Sequence, residues 1–179
     1  MSQIKAAEVK ALRDKTDAPM MECKKALIEA GGEFEKAEEI LRVKLGSKAG
    51  KTAARITAEG AIAIDITGSV GTIIEVNCET DFVAKNDDFV AFASDVSKKL
   101  LDDPNVDLES QRTEQVAKIG ENIRISRSSS LSLSNNGIVE SYVHTGAKVA
   151  VLLSLSTVSN EAANSDKLIE LAKDLCIDR

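Results

Sequence analysis

The residues best suited to chemistry lie between positions 78 and 89, in the stretch CETDFVAKNDDF. There Asp81 stands beside Phe82 in a connection between a β-like run and a helical pattern, and connections of this kind usually lie at the surface. The chain has four phenylalanines, one tyrosine and no tryptophan, so an aromatic residue in such a place needs a reason. Phe82 either folds back beneath its own loop or inserts into a partner protein as an anchor. The spacing alone favours neither alternative.

A second candidate contact surface lies near the N-terminus, at Met20 and Met21. Neighbouring residues on a helix point about 100° apart, so we expect one methionine to face the core and the other to be exposed. Methionine suits adaptable contact surfaces, whereas the alternative is that packing covers both side chains. With Arg13 nearby in the sequence, the pattern predicts a contact patch on a helical unit.

Residue types that carry out covalent catalysis are not arranged for it in this sequence. The single histidine, His144, lies in a strand-like run without the Ser or Cys partner that a catalytic triad requires. The GKT at 50–52 lacks the preceding strand and the first glycine of a phosphate-binding loop. The aspartate pairs at 87–88 and 102–103 are more typical of helix caps and solvated turns. We therefore expect no catalytic residues, no metal site and no cofactor.

Composition limits the classes of partner. The chain has 179 residues, 43% of them apolar, and a net charge of −6 without a strongly basic block, which argues against nucleic acid as a partner. Because it has neither an apolar run of membrane-spanning length nor a signal-peptide core, we expect no membrane association and a cytoplasmic protein. Three cysteines, far apart in the sequence, favour reduced and buried thiols: Cys23, Cys78 and Cys176.

The first third of the chain has the apolar period of helices. Residues 4–45 show three stripes that predict three short, packed helices, with Pro19 in the first turn of the second helix and Gly31-Gly32 at its end. Residues 46–60 contain few large apolar side chains, and we predict a linker that is helical in part. The stripes are Ile4, Val9 and Leu12; Met20, Cys23, Leu27 and Ala30; and Phe34, Ala37, Leu41 and Leu45.

From residue 61 the apolar period changes to two, which predicts an antiparallel hairpin over 61–77. A helix follows, and its core face carries Phe89, Phe92, Ala93, Val96 and Leu100. A second helix ends near residue 122. The apolar residues after it all occupy odd-numbered positions, which would place them on one face of a strand, and we therefore predict a strand there: Ile123, Ile125, Leu131 and Leu133. Asn135-Asn136-Gly137 predicts a hairpin turn. A second hairpin and a last helix complete the pattern over 138–177.

This order indicates an α+β chain with an internal duplication. A hairpin, a connection and an amphipathic helix occur at about 61–101 and again at about 138–177. The second copy has STVSNEAANSD where the first has NCETDFVAKND, so the scaffold repeats and the acid–aromatic tip does not. The pattern stops soon after the last helix, and we expect the second copy to be incomplete.

Three stretches resemble the elongation factor Ts family of bacterial and organellar type. They are VKALRDKTDAPMMECKKALIEAGGEFEKAEEILR, IIEVNCETDFVAKNDDFVAFA and VAKIGENI, in that order along the chain. The resemblance implies a three-helix module like a ubiquitin-associated (UBA) domain over 1–45 and a linker over 46–60. It further implies a first core subdomain over 61–137 and the start of a second over 138–179. The chain then resembles a C-terminally truncated member, and we expect homo-association through the uncovered edge of its core.

The resemblance also implies a function and the residues that perform it. Members of the family are guanine-nucleotide exchange factors for the translational GTPase elongation factor Tu, and they catalyse no covalent reaction. Their intruding loop corresponds to Thr80, Asp81, Phe82 and Val83 and reaches the magnesium ion beside the nucleotide, while the helical module binds the GTPase through Arg13, Met20 and Met21. Members often have Gly-Ala-Gly where this chain has Asp17-Ala18-Pro19, which changes the turn before the methionines.

Two other functions compete with this interpretation. A UBA-type adaptor would bind a peptide or a ubiquitin-like partner through Met20-Met21 and would use residues 61–179 as a scaffold. It would bind without accelerating nucleotide release. A thiol or acid enzyme would instead depend on Cys23 or Cys78, and nothing in the sequence favours it.

Overall fold

A computed structural model describes residues 4–16 and 18–177 of the chain. The contacts divide the chain into two compact units, and residues 109–122 belong to the first of them although the sequence analysis assigns them to the first core subdomain. Unit 1 contains residues up to Arg55 and Glu109–Asn122, and unit 2 contains Ile56–Leu108 and the residues from Ile123 onwards. The elements, in chain order, are α1 (Ala6–Thr16), α2 (Met20–Glu29), α3 (Phe34–Thr52), β1 (Glu59–Thr67), β2 (Val70–Cys78), α4 (Asp81–Ala84), α5 (Asp87–Asp102), α6 (Glu109–Ile119), β3 (Arg124–Ser132), β4 (Gly137–Val143), β5 (Ala150–Ser156), α7 (Asn160–Ala163) and α8 (Asp166–Ile177).

Unit 1 is a group of helices with one small core. The predicted stripes supply most of it, and the end of α2 is confirmed because Gly31 and Gly32 adopt φ values of 66° and 92°. The Gly32 amide donates to the Leu27 carbonyl across 2.9 Å, which ends the helix in the manner of a Schellman cap. The buried residues of this core are Val9, Leu12, Ala18, Cys23, Ala26, Leu27, Ala30, Ala37 and Leu41.

The third helix is longer than the sequence analysis predicts. The stripe ends at Leu45, but α3 continues to Thr52 because Ala49 and Thr52 are buried along its extension. The chain that follows is held by a buried side chain from the segment after α6. Asn122 Nδ2 donates to the carbonyls of Ala53 and Arg55, at 3.3 and 2.9 Å. The predicted linker is therefore helical over its first half.

The first sheet of unit 2 is an antiparallel β1-β2-β3 sheet that carries α5 on one face. The predicted hairpin is confirmed, with Ala61 opposite Val76 and Ile64 opposite Ile73. On β2, Ile74 and Val76 are buried on the face that α5 covers. The predicted core face of α5 is also confirmed, since each of its residues is buried: Phe89, Phe92, Ala93, Val96 and Leu100.

The other face of this sheet packs on a second sheet formed by β4 and β5. At Gly71, a Cβ atom would lie 2.8 Å from Leu152 Cδ1 and 2.9 Å from Val139 Cγ1, so a larger residue there would force these side chains of the second sheet to move. Helix α8 covers the second sheet and buries Ala172 and Cys176. Unit 2 is thus layered as α5, first sheet, second sheet and α8.

Two details of strand pairing differ from the sequence analysis. The turn at 135–137 does not join a hairpin, because β3 pairs with β2 in the first sheet whereas β4 pairs with β5 in the second. A bulge between Glu75 and Val76 changes the register of β3. Ile125 pairs with Val76 and Leu131 pairs with Gly71, so these two residues lie on opposite faces despite their shared parity.

No helix within residues 4–16 and 18–177 is long and apolar enough to cross a membrane.

One buried polar group in α5 generates a stability prediction. Ser97 is fully buried and its Oγ has no hydrogen-bond partner. We expect Ser97→Ala to raise the free energy of unfolding by about 0.5–1 kcal/mol, because a buried hydroxyl without a partner is costly and alanine is the better helix former. Urea denaturation measures the change, and Ser94→Ala on the same helix controls for helix propensity. A larger loss of stability in Ser97→Ala than in Ser94→Ala would contradict the expectation.

Candidate functional site

The segment between β2 and α5 is a one-turn helix rather than the plain loop that the sequence analysis predicts. Thr80 Oγ1 accepts a hydrogen bond of 3.4 Å from the Val83 amide and caps α4. Asn86 caps α5 in the same way, because its Oδ1 accepts a 2.9 Å hydrogen bond from the Asp88 amide. Two short polar side chains thus set the conformation of this connection.

The α4 turn is anchored beneath and exposes Phe82 at its surface. Ala84 is buried, and the buried Cys78 thiol donates to the Thr80 carbonyl across 3.3 Å. Thr80 and Val83 are half-buried, whereas 83% of Phe82 is exposed to solvent. The side chain does not fold back beneath its own loop. The structure therefore excludes the first of the two alternatives for Phe82 and leaves its side chain in solvent.

The Asp81 carboxylate is held beside Phe82 as a charged group. Lys85 Nζ lies 2.8 Å from Asp81 Oδ2 across one helical turn. The hydrogen bond from Lys85 and the charge of that ammonium hold the pKa of Asp81 below its usual value, and Lys148 adds to the effect. The same pairing raises the pKa of Lys85. Asp81 therefore remains ionised at neutral pH and suits electrostatic contact rather than proton transfer.

The corresponding turn of the second hairpin lacks the acid–aromatic pair. Ser159 Oγ accepts a 3.1 Å hydrogen bond from the Ala162 amide and caps α7 as Thr80 caps α4. Counted from these caps, Glu161 stands at the position of Phe82. A capped one-turn helix thus follows both hairpins, and only the first of them presents an aromatic side chain.

The predicted patch on unit 1 lies at the end of α1 and the start of α2. Arg13 is exposed in the last turn of α1. The expectation that one methionine faces the core is wrong, because Met20 is 44% and Met21 is 60% exposed. Helix α2 begins at Met20, and the core positions on either side are taken by the buried Ala18 and Cys23.

Among the turn residues before α2, Asp17 lies outside the described part of the chain. Pro19 precedes the helix with φ −56° and ψ 136°, and its carbonyl accepts hydrogen bonds from the amides of Glu22 and Cys23. The loss of an amide donor at Pro19 therefore leaves the first turn of α2 intact.

The remaining candidates for chemistry are placed as surface or packing residues. His144 is exposed in the β4–β5 turn, where its Nδ1 lies 3.0 Å from the Tyr142 hydroxyl. The prediction of reduced, buried thiols is confirmed for all three cysteines. Burial raises the pKa of Cys23 and of Cys176, which disfavours the reactive thiolate. In the part of the chain that the structure describes, no group of three His, Cys, Asp or Glu residues could hold a metal ion.

The sequence analysis missed the charged residues around Asp81. Lys85 stands four residues after Asp81, a spacing that brings side chains together on a helix and could have indicated the pair. Lys148 forms an ion pair with Glu59. These two residues are 89 positions apart, so local spacing gives no signal for their pairing.

Comparison with known proteins points to one family. The family model described as Elongation factor TS matches residues 79–178. Elongation factor Ts of Aromatoleum aromaticum is 50% identical over 187 residues, which cover 96% of this chain and 62% of that protein. The protein of the same name from Azoarcus sp. (strain BH72) is 47% identical over 192 residues. This match covers 99% of this chain and 61% of that protein. Elongation factor Ts of Bordetella petrii is 52% identical over 168 residues. This match covers 86% of this chain and 56% of that protein. The chain thus spans about three fifths of the length of these relatives.

The exposure of Phe82 generates a prediction about stability. We expect Phe82→Ala to change the free energy of unfolding by less than about 1 kcal/mol, as surface substitutions generally do. Phe89, which is fully buried seven residues later, is the matched comparison. Phe89→Ala should cost about 3–5 kcal/mol, because it leaves a cavity between α5 and the sheet. Urea denaturation of both variants checks the difference, and equal losses would show that Phe82 packs within its own fold.

Proposed function

The chain belongs to the elongation factor Ts family, and on that premise we propose that it is a guanine-nucleotide exchange factor for elongation factor Tu. It then acts in translation elongation, in the cytoplasm, and catalyses no covalent reaction. The observation that carries the proposal is the α4 turn, which holds Phe82 in solvent beside an ionised Asp81. A large exposed aromatic side chain on an anchored turn is typical of a binding hot spot.

The proposed mechanism uses the four residues of the capped turn together. Thr80 fixes the turn, Val83 supports it, Phe82 inserts into the GTPase and Asp81 brings a negative charge beside the nucleotide pocket. In the GTPase, Mg²⁺ bridges phosphate oxygens and neutralises their charge. Displacing the groups that hold this ion weakens nucleotide binding, and GDP leaves faster. The factor performs this work by binding alone.

Thermodynamic linkage couples the binding of the factor to the binding of nucleotide. If the factor lowers the affinity of the GTPase for GDP, then GDP lowers the affinity for the factor by the same ratio. Free nucleotide can therefore displace the factor after exchange. A tight complex without nucleotide and a loose one with it are the two states that the proposal requires.

The helical unit is proposed as a second contact with the GTPase. We assign this contact to Arg13, Met20 and Met21, in a module of UBA type formed by α1, α2 and the first part of α3. The exposure of both methionines supports the assignment, because Met20 and Met21 leave apolar surface uncovered at the start of α2. An exposed arginine beside apolar side chains is a frequent composition of protein interfaces.

We also propose that the core is an internal duplication, with one subdomain at 61–137 and the start of another at 138–179. The repeated order of hairpin, capped one-turn helix and long helix supports it. The matching caps at Thr80 and Ser159 support it further. On this proposal the second copy kept the turn as a scaffold while only the first kept the contact residues.

A UBA-type adaptor remains the second candidate function, since the two exposed methionines also suit a peptide-binding patch. The two candidates differ in the effect of the chain on nucleotide release. An exchange factor accelerates the loss of fluorescent GDP from elongation factor Tu in a stopped-flow experiment. An adaptor binds its partner and leaves that rate unchanged.

The wedge mechanism predicts the kinetic behaviour of Phe82→Ala. Docking should weaken by about 1–3 kcal/mol, a loss that only a minority of interface residues cause when they are truncated. At saturating concentrations of the chain, where weakened docking no longer matters, GDP release should still be slower than with the wild type. Leu171→Ala, which truncates an exposed leucine on α8, is the control and should release GDP at the wild-type rate. Wild-type release by Phe82→Ala at saturation would reduce Phe82 to an anchor.

The contact patch on unit 1 predicts a different behaviour for Met20→Ala and Met21→Ala. Because both side chains are exposed, each variant should keep its stability within about 1 kcal/mol. Each should raise the concentration of chain that gives half-maximal GDP release and leave the maximal rate unchanged. Val43→Ala, at another exposed position of unit 1, is the control. If neither methionine variant changes the half-maximal concentration, the patch is not a contact.

A further inference from the structure

The α4 turn lies in a cluster of four alternating charges contributed by three different elements. Lys85, the residue after α4, pairs with Asp81 at the start of that helix, with 2.8 Å between Nζ and Oδ2. Lys148, in the β4–β5 turn, pairs with Glu59 at the start of β1. We call these four residues the charge cluster. Its two ion pairs belong to unit 2 and flank the exposed Phe82 turn.

The two ion pairs interact with each other. Lys85 is the main cause of the lowered pKa of Asp81, and Lys148 contributes to it from the second hairpin. In the opposite sense, Asp81 is the main cause of the raised pKa of Lys85, and Glu59 contributes from β1. The other charged side chains next to the turn are all acidic: Glu79 just before α4, and Asp87 and Asp88 at the start of α5. Lys85 and Lys148 are thus the two cations that act on the Asp81 carboxylate.

The second hairpin is fixed where it contributes Lys148. The Ile62 amide donates to the Ala147 carbonyl across 2.8 Å, which ties the β4–β5 turn to the edge of β1. Within the turn, the Ala147 amide donates to the His144 carbonyl, also at 2.8 Å. The backbone next to Lys148 is therefore held by hydrogen bonds, and the charge cluster rests on a fixed turn.

The α7 turn has the same geometry as the α4 turn but has a neutral pair of side chains in place of the ion pair. At the positions that correspond to Asp81 and Lys85 it has Asn160 and Asn164, and Asn164 Nδ2 donates to Asn160 Oδ1 across 3.2 Å. A neutral pair with the same spacing is therefore compatible with a capped one-turn helix. The ion pair is not required to form the turn, and it occurs in the copy that carries Phe82.

We propose that Lys85 is a positioning residue for the Asp81 carboxylate, supported by Glu59 and Lys148, and that it favours one orientation of this carboxylate towards the partner, beside Phe82. The inference rests on the proposed exchange function and adds to it a residue outside the Thr80–Val83 segment. Because the pair is exposed and spans one turn, it biases the orientation of Asp81 without locking it.

The first test measures the pairing without any partner. In the full chain labelled with ¹³C, the side-chain carboxyl carbon of Asp81 is titrated by NMR. Lys85→Met should raise the pKa of Asp81 towards its ordinary value, and Lys148→Met should raise it less. Lys99→Met is the matched control, because Lys99 makes an ion pair of the same spacing with Asp95 on α5, 2.9 Å between Nζ and Oδ2. If the pKa of Asp81 is the same in Lys85→Met as in the wild type, the proposal is overturned.

The second test measures the consequence for exchange. At saturating concentrations of the chain, Lys85→Met should slow GDP release from elongation factor Tu by about twofold. This is the factor by which an exposed ion pair of this spacing changes an equilibrium constant. Lys99→Met should leave the rate unchanged. A maximal rate equal to that of the wild type, with only the half-maximal concentration altered, would make Lys85 a docking residue and overturn positioning. If the wild type itself accelerates nothing, the proposed function fails, whereas the NMR titration still decides whether Lys85 pairs with Asp81.

Discussion

The packing of α5 on the first sheet is the constraint on which the candidate site depends. Cys78 at the end of β2 and Phe89 in the first turns of α5 are both fully buried, so the chain between them has fixed ends. The segment bridges these ends with one capped turn whose small residue, Ala84, faces inward. The side chain at position 82 then has no place in the core. The exposure of the phenylalanine follows from the elements on both sides of it, and its own preference for burial is overruled.

Most of the energy that shapes the site comes from outside it. The exposed ion pair contributes little to stability, and the single Thr80 cap contributes about 0.5–2 kcal/mol. The buried face of α5 contributes several kcal/mol through its two phenylalanines alone. This separation allows the exposed residues of such a turn to differ without loss of the fold, and the α7 turn is an example. There Glu161 occupies the place of Phe82 on a turn with the same kind of cap.

The sequence predicts the long elements well and the short ones poorly, for physical reasons. The core face of α5 and the first hairpin repeat over several periods, so apolar spacing predicts them correctly. The α4 turn is a single turn and has no period, which leaves Thr80 as its one local signal. The predicted burial of one methionine is wrong at Met20, because a stripe of apolar residues gives the direction of a side chain but not the point along the helix at which the core ends. The bulge in β3 and the pairing of Lys148 with Glu59 depend on residues distant in sequence, and no local pattern reports them.

The close approach of the two sheets at Gly71 has a consequence for synthesis on the ribosome. Ile64, Ile66 and Ile73 lie on the strand face that β4 and β5 cover. Leu152, which contacts this face, is added about 80 residues after Gly71, or roughly 4–16 s later at ordinary rates of elongation. During that interval the nascent hairpin presents an isoleucine-rich surface that its own chain cannot yet cover. Chaperones that shield apolar strands during translation would meet this protein there, before its second half exists.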